Sequence, residues 1–421
     1  MSDISLLEKL IPSSVVARIS MVDNKLVFDV TIGFRDAIDG EKCLWLNPGL
    51  VVKEVLTQSP FELKSTLTKD PDVGVVDVNR VDILLRQPVY GIRIKYEGLL
   101  KPLLISHWGS RDKLHIGRAE TLWYPFTMAC KNIVESLILC EHVISVMRFK
   151  LRDGLVAIAS LEFQGIEDGE WIYTSGYKTS ALEFIIGPFA KTEYSGRKTV
   201  YSYIVGEQMY PSKQLYDVIE EIEGLYKEVY GVEPPYSQYH IVFLDKTGGY
   251  KAGTLIALDK EYVKTIDALK ANLIHELSHT WWGGFIKPCS SDSTWLTEAI
   301  PEYITTVLLD KLKIRKLKDR VKKIMKQAKE LMKQKGYKPP TKIPMPLTDV
   351  EEKSWRIVGE TILHEIAKEI GYDTLNSILS NHMRKSMEEQ KRYCITWKQL
   401  LQEIASVSKK VEKKIEKYLQ Q

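Results

Sequence analysis

Residues 273–303, LIHELSHTWWGGFIKPCSSDSTWLTEAIPEY, decide how this 421-residue chain is interpreted. The segment contains His275, Glu276 and His279 in the spacing H-E-x-x-H, and Glu298 follows the second histidine after eighteen intervening residues. On a helix, two histidines four residues apart lie on one face and can bind one metal ion together. A second predicted helix would supply Glu298, which completes a His-His-Glu ligand set.

The chemistry of these residues predicts a catalytic zinc site. Two imidazoles and a carboxylate suit Zn²⁺, and three protein ligands leave a fourth position open for water. The metal would lower the pKa of that water toward ~7 and polarise a carbonyl group. Glu276 is not needed as a ligand and is placed to take the water's proton and pass it to a leaving amine. We therefore expect one Zn²⁺ per chain and a peptide-bond hydrolase. The alternative is a chance motif with two structural histidines, and the downstream glutamate weighs against it.

Composition excludes several other classes of protein. The length predicts two or three domains, and an apolar content of 44% with 27% charged residues is ordinary for a soluble protein. A net charge of +4 gives no case for nucleic acid as a partner. No run approaches the ~18 apolar residues of a membrane-spanning helix. Nothing in the sequence indicates an oligomeric state.

The five cysteines are widely spaced, odd in number and without a C-x-x-C pair. This pattern predicts neither a disulfide framework nor a cysteine zinc site, and it favours a reducing compartment. The N-terminus lacks the basic and apolar regions of a signal peptide. The expected location is therefore the cytoplasm.

The first half of the chain has the alternation of apolar and polar residues that is typical of half-buried strands. Residues 25–34 place five apolar side chains on one face, and residues 90–97 alternate in the same way. Further strands are predicted over the ranges 155–163, 170–174, 181–186 and 198–205. Residues 1–205 are therefore expected to form an antiparallel β domain.

Helical periodicity takes over after residue 206. Residues 212–230 have a regular apolar face, and Gly283-Gly284 is expected to end the helix that carries the two histidines. Strands are predicted at 238–244 and 253–258, and further helices at 310–335, 355–370, 373–388 and 397–420. The predicted fold class is α+β with more than one domain.

The segments HELSHTWWGG and WLTEAIPEY resemble the M1 family of zinc metallopeptidases, the group of aminopeptidase N and leukotriene A4 hydrolase. The family pattern is HE-x-x-H-x-W-x-G followed by W-L-N-E-G, and it is matched at His275, Glu276, His279, Trp281, Gly283, Trp295, Leu296 and Glu298. The resemblance implies a saddle-like N-terminal β domain, a thermolysin-like α+β catalytic domain and a helical tail. In this chain these parts correspond to residues 1–205, 206–335 and 336–421. By resemblance, the zinc ligands are His275, His279 and Glu298, and the general base is Glu276.

The chain departs from the family pattern in the loop before the zinc helix. The family has G-x-M-E-N there, and its glutamate holds the free α-amine of the substrate. Residues 247–253, TGGYKAG, keep the glycines but contain no acidic residue. We expect Gly248, Gly249 and Tyr250 to lie beside a bound peptide backbone, whereas Lys251 would repel an ammonium group.

A second departure concerns the tyrosine that stabilises the oxyanion in the family motif Y-x-K-G. The corresponding segment is 354–359, SWRIVG, in which Arg356 stands at the tyrosine position. Arg356 is therefore a candidate oxyanion donor, and a surface arginine at a helix start is the alternative.

Three hypotheses follow from the intact ligand pattern and the two departures. The first is an M1-like aminopeptidase acting on peptides. The second is a zinc hydrolase of the same fold without α-amine specificity, similar to an endopeptidase. The third is a weakly active M1-like binding scaffold.

Overall fold

The computed structural model describes residues 12–69, 77–103, 109–111, 113–118, 121–128, 144–175, 182–207, 209–245, 248–346, 348–389 and 393–419. The chain forms two compact units, and each unit consists of one long segment and two short segments of the sequence. The first unit comprises Met1–Ser212, Tyr236–Thr247 and Ala252–Ile256, and the second comprises Lys213–Pro235, Gly248–Lys251 and Ala257–Gln421. The predicted three-part division at residues 205 and 335 stays a prediction.

The strands are β1 (Pro12–Val22), β2 (Lys25–Leu46), β3 (Leu50–Leu56), β4 (Phe61–Lys69), β5 (Asp77–Gly98), β6 (Ser110–Arg111), β7 (Leu114–Gly117), β8 (Phe126–Met128), β9 (Ile144–Lys150), β10 (Val156–Ala159), β11 (Glu162–Glu167), β12 (Glu170–Thr174), β13 (Phe184–Gly187), β14 (Ala190–Ser195), β15 (Thr199–Ile204), β16 (Gln238–Leu244), β17 (Tyr250–Ala252), β18 (Leu255–Asp259), β19 (Ile286–Pro288) and β20 (Tyr393–Ile395). The strands expected in the first half are present, except that the predicted strand 155–163 is divided between β10 and β11, and residue 181 of the predicted strand 181–186 lies outside the described residues. The α+β class is confirmed.

A nine-stranded sheet dominates the first unit. Its order is β11-β12-β9-β1-β2-β5-β3, with β4 also paired to β5 and β8 to β2. The pairs are mainly antiparallel, as predicted, although β1 and β9 run parallel. Leu26, Phe28, Val30 and Ile32 alternate with more exposed neighbours along β2, and this alternation buries one face of the strand.

Aromatic side chains fill the core of this unit. The ring of Phe28 stacks on that of Tyr96, with centroids 4.9 Å apart, and tilts against Trp123. The Trp123 indole N–H donates to the Leu182 carbonyl, so this buried donor is satisfied. A four-stranded sheet, β10-β13-β7-β6, lies in the same unit.

The helices are α1 (Ser212–Tyr230), α2 (Ile266–Ser278), α3 (Leu296–Lys311), α4 (Leu317–Leu331), α5 (Asp349–Lys353), α6 (Gly359–Ile370), α7 (Tyr372–Glu388), α8 (Trp397–Val407) and α9 (Lys410–Leu419), and a π-helix covers Ser354–Val358. The predicted helix at 212–230 is confirmed at both ends. The predicted helix 310–335 is shorter, because α3 already occupies residues to Lys311. The predicted helix 397–420 is interrupted at Ser408. Among the described residues, no helix is both long and apolar enough to cross a membrane.

A disulfide bond joins Cys289 and Cys394, which are 105 residues apart in the sequence. The bond connects the residue after β19 to β20, and these two short strands pair in parallel. The expectation that the cysteines would form no disulfide is therefore wrong for this pair. Widely spaced cysteines give no sequence signal of pairing, because the pairing depends on which strands become neighbours.

Candidate metal centre

Helix α2 brings the two motif histidines together at its C-terminal end. Thr265 caps the helix, and its side chain accepts a hydrogen bond from the Ala268 amide. Buried residues, including Leu269 and Leu273, hold the helix in the core of the second unit. His275 lies in the last turn, and His279 is the first residue after the helix. The helix therefore ends at Ser278, earlier than the predicted glycine pair.

The turn after α2 fixes the orientation of the His279 ring through a hydrogen bond to its Nδ1 atom. Its Nδ1 lies 3.1 Å from the Trp282 carbonyl oxygen. A carbonyl can only accept, so Nδ1 carries the proton and Nε2 keeps its lone pair for a metal. Gly283 has a φ of 95°, a conformation that favours glycine. Asp292 accepts hydrogen bonds from the hydroxyl groups of Ser290 and Ser293.

Helix α3 brings Glu298 to the two histidines from its first turn, where the helix dipole favours a carboxylate. The Nε2 atoms of His275 and His279 are 3.2 Å apart. Glu298 Oε2 lies 3.5 Å from His275 Nε2, and Oε1 lies 3.8 Å from His279 Nε2. All three ligand atoms are within 4.8 Å of one another, so the three predicted ligands converge on one point.

These separations fit a tetrahedral zinc ion. Bonds of about 2.0–2.1 Å place neighbouring ligand atoms of a tetrahedral centre about 3.3–3.4 Å apart. The spacing of the two histidine nitrogens is close to this value, and those of Glu298 need only a small side-chain adjustment. The donor set of two imidazoles and one carboxylate is also the one that zinc accepts in catalytic sites.

Glu276 is buried beside the loop that precedes α2. Only 4% of its surface is exposed. A Cβ atom at Gly249 would lie 2.5 Å from Glu276 Oε1, so the carboxylate lies directly against the backbone of this loop. Of the three residues predicted to lie along a substrate, Gly248 donates its amide to Asp259 and Tyr250 is buried at the start of β17. Strand β17 is the terminal strand of its sheet.

Comparison with solved structures identifies the fold. A two-domain M1 zinc metallopeptidase, a glutamate-to-alanine mutant bound to L-tryptophan, matches with a TM-score of 0.72 and 15% identity over 98% of this chain and 94% of that chain. The same kind of mutant bound to L-arginine matches with a TM-score of 0.73 at 14% identity over the same shares of the two chains. The M1 zinc metallopeptidase from Deinococcus radiodurans matches with a TM-score of 0.70 at 14% identity over 97% of this chain and 94% of that chain. The fold is that of the two-domain M1 zinc metallopeptidases. No protein-family profile and no curated protein matches the sequence.

Arg356, the residue at the tyrosine position of the M1 motif, lies next to the three predicted metal ligands. Its Nη2 forms an ion pair with Glu298 Oε2 at 3.0 Å, and Nη1 lies 3.5 Å from His275 Nε2. Two further carboxylates hold the guanidinium group, Glu302 at 3.0 Å and Glu352 at 3.2 Å. Arg356 is thus part of the site and not a remote surface residue.

Local backbone geometry explains why Arg356 reaches Glu298. Arg356 lies in the π-helix, and the glycine that follows is packed against α3. A Cβ atom at Gly359 would lie 2.6 Å from the Ala299 Cβ, so only glycine permits this approach. π-helical turns are frequent at functional sites, where they change the direction of a side chain.

Glu302 is a component of the site that the sequence interpretation missed. It follows Glu298 by four residues on α3, so both carboxylates lie on one face. Its Oε1 is 3.8 Å from His275 Nδ1 and 3.0 Å from Arg356 Nη1. The four-residue spacing from a predicted ligand was the available signal for this residue. The contact of Glu302 with Arg356 had no signal in the local sequence.

Burial and neighbouring charges set the protonation of the three ligands. Burial lowers the pKa of His275, but the charge of Glu302 and the hydrogen bond of Glu298 outweigh it and raise that pKa above 6.5. Burial lowers the pKa of His279 to about 4, against the opposing charge of Glu298. Burial raises the pKa of Glu298, but the charge of Arg356 reverses this and holds it well below 4.5. At neutral pH, His279 is therefore uncharged and Glu298 ionised, as metal binding requires.

Proposed function

We propose that the chain is a zinc-dependent peptidase that hydrolyses peptide bonds with one Zn²⁺ per chain. The observation that carries this proposal is the convergence of His275, His279 and Glu298 within 4.8 Å, with the Glu276 carboxylate buried close by. The fold is consistent with it. A mutant of the M1 metallopeptidase from Deinococcus radiodurans binds a Tyr-Ser-Ala substrate. A cytoplasmic location stays a prediction, and the disulfide weighs against it, because disulfides are rare in reducing compartments.

In this proposal His275, His279 and Glu298 hold the metal. When bound, Zn²⁺ lowers the pKa of a water that it holds toward ~7 and polarises the scissile carbonyl. Glu276 takes a proton from the attacking water and passes it to the leaving amine. Burial beside Gly249 suits this role, because the base is shielded from bulk water and lies next to the loop along which the substrate backbone would run.

Arg356 is proposed to stabilise the negative charge that develops on the carbonyl oxygen. A guanidinium group has five N–H donors. Nη1 of Arg356 donates to Glu302, and Nη2 and Nε form ion pairs with Glu298 and Glu352. Nη1 and Nη2 are the atoms nearest to the proposed ligands. Removing a donor of this kind costs about 10²–10³-fold in turnover, so Arg356→Gln should lower kcat by that factor when zinc is supplied at saturation.

The proposal is tested by metal analysis together with the variant Glu276→Gln. The purified wild-type protein should contain about one zinc per chain. Glu276→Gln should keep the zinc and lose about 10²–10⁴-fold in the cleavage rate of a peptide library, because the general base is removed. Glu330→Gln, an exposed residue of α4, is the matched control and should match the wild type. A folded wild-type protein without zinc would contradict the proposal.

A second candidate, a peptidase without α-amine specificity, is favoured by the composition of residues 247–253, which include no acidic residue. The lysine at position 251 would oppose a free ammonium group there. Paired peptides with a free or an acetylated N-terminus separate the two candidates. Equal cleavage of both peptides supports the second candidate, whereas cleavage of the free-amine peptide alone supports an aminopeptidase.

A further inference from the structure

Glu302 contacts the candidate metal centre from the side that faces away from the metal. The Nε2 atom of His275 faces His279, while Glu302 Oε1 is 3.8 Å from the opposite ring nitrogen, Nδ1. An imidazole cannot present both nitrogens to one ion, so Glu302 is not a fourth ligand of the same metal. At 3.8 Å the contact is an ion pair and not a hydrogen bond, and it lies on the side from which carboxylates support ligand histidines.

The same carboxylate reaches a second ligand through Arg356. Glu302 Oε1 accepts a hydrogen bond from Arg356 Nη1 at 3.0 Å, and Arg356 Nη2 forms an ion pair with Glu298 Oε2 at 3.0 Å. Arg356 therefore engages Oε2 of Glu298, while Oε1 faces His279. One residue thus influences the direction of His275 directly and that of Glu298 through an arginine fork, whose planar geometry suits such double contacts.

A half-buried arginine, Arg320, contacts Glu302 on its other carboxylate oxygen. Arg320 Nη2 lies 3.7 Å from Glu302 Oε2, and the same atom donates to Glu360 Oε2 at 2.6 Å. Glu360 is fully buried and also accepts from the Thr306 hydroxyl at 2.7 Å. Charged groups in such a network have little freedom to move, because an alternative position would leave a buried charge unpaired.

We propose that Glu302 is a positioning residue that orients two of the three zinc ligands, His275 directly and Glu298 through Arg356. This inference rests on the proposed function, since it concerns the zinc site of that function. Loss of an outer-shell partner typically costs about 10–100-fold in metal affinity, and Glu302 supports two ligands at once.

The test compares Glu302→Gln with Glu360→Gln in the full-length protein. Both variants replace a carboxylate that contacts Arg320, but Glu360 touches none of the three zinc ligands in the described contacts. Zinc affinity is measured by competition with a chelator, and the zinc-free proteins are checked for folding by circular dichroism. We expect Glu302→Gln to bind zinc about 10–100-fold more weakly. Glu360→Gln should lose less affinity than Glu302→Gln, because Glu360 reaches the ligands only through Arg320 and Glu302.

The visible spectrum of the cobalt-substituted protein is a second test, because a purely structural role of Glu302 would leave this spectrum unchanged. The visible absorption of bound Co²⁺ depends on ligand geometry, so its bands should shift further in Glu302→Gln than in Glu360→Gln. Glu302→Asp keeps the charge, and it covers the case in which Glu302→Gln fails to fold. Because its carboxylate is withdrawn by one methylene group, it should show the same shift. Wild-type affinity and spectrum in the Glu302 variants, or equal losses in Glu302→Gln and Glu360→Gln, would overturn the inference. A wild-type protein that binds no zinc would instead contradict the proposed function.

Discussion

Two buried histidines, His240 and His275, lie in opposite chemical surroundings. His240, in β16, is enclosed by aromatic residues: its ring stacks on Tyr201 with centroids 4.9 Å apart, and its Nδ1 is 3.0 Å from the Tyr203 hydroxyl. His275, in α2, faces a second histidine and the carboxylates of Glu298 and Glu302. Burial lowers the pKa of His240 to about 3. At His275 the carboxylates reverse the effect of burial, and the pKa rises.

The difference shows that burial alone does not identify a metal ligand. A histidine among aromatic rings is stable only as the neutral form and needs no ion. A histidine among carboxylates lies where a cation of any kind is favoured, either a proton or a metal. The carboxylates, and not the imidazole, therefore distinguish the candidate metal centre from an ordinary buried histidine.

The sharpest test of this comparison replaces each histidine in turn. His275→Asn should weaken zinc binding by more than about 100-fold, since losing a ligand should cost more than losing an outer-shell partner. His240→Phe keeps the stacked ring and should leave zinc binding at the wild-type value. Zinc content after dialysis against a chelator is the measurement. Equal loss of zinc in both variants would show that the surroundings do not distinguish the two residues.

The next prediction concerns the free energy of unfolding in acid, to which the buried, uncharged His240 should contribute. The folded-state pKa of His240 is depressed from 6.5 to about 3, so its contribution to stability is complete above pH 6.5 and is lost as the pH falls toward 3. Between pH 7 and pH 4 this amounts to about 3 kcal/mol. His240→Phe should remove that part of the pH dependence. Urea unfolding of both proteins at pH 7 and pH 4 measures it, and parallel losses in the two proteins would contradict the assignment.

A smaller effect is expected from the disulfide that follows the metal-binding turn. Cys394→Ser should lower the free energy of unfolding by about 2–4 kcal/mol, because the bond closes a long loop of the unfolded chain. The difference between wild type and variant in thermal unfolding should vanish when both are reduced. A variant as stable as the oxidised wild type would mean that the bond does not form in solution.

Much of this fold follows from local pattern. Strand β2 was predictable because its side chains alternate between core and surface, and α1 because its apolar positions recur at the helical period. The ends of elements were less predictable. Helix α2 stops at Ser278, whose hydroxyl and the Tyr226 hydroxyl both bond the Ile274 carbonyl, and this tertiary contact leaves no trace in the local sequence.

The candidate site also contains a part that was predictable from the sequence and a part that was not. The spacing within 275–298 predicted the residues that converge, because helix geometry fixes which side chains share a face. The hydrogen bond of His279 to the Trp282 carbonyl involves backbone and has no side-chain signature. The contacts of Arg356 with Glu298 and Glu302 join residues more than fifty positions apart, and they depend on the packing of Gly359 against Ala299. Such contacts come from tertiary packing, which local spacing does not specify.

The π-helix at Ser354–Val358 has a consequence for changes in chain length. Each residue of a helix turns the following side chains by about 100°, so removing one residue would restore the α-helical register and rotate one end of the segment against the other. Arg356 and Gly359 could then no longer face α3 together. A one-residue deletion would therefore separate the arginine from its carboxylates without replacing either partner.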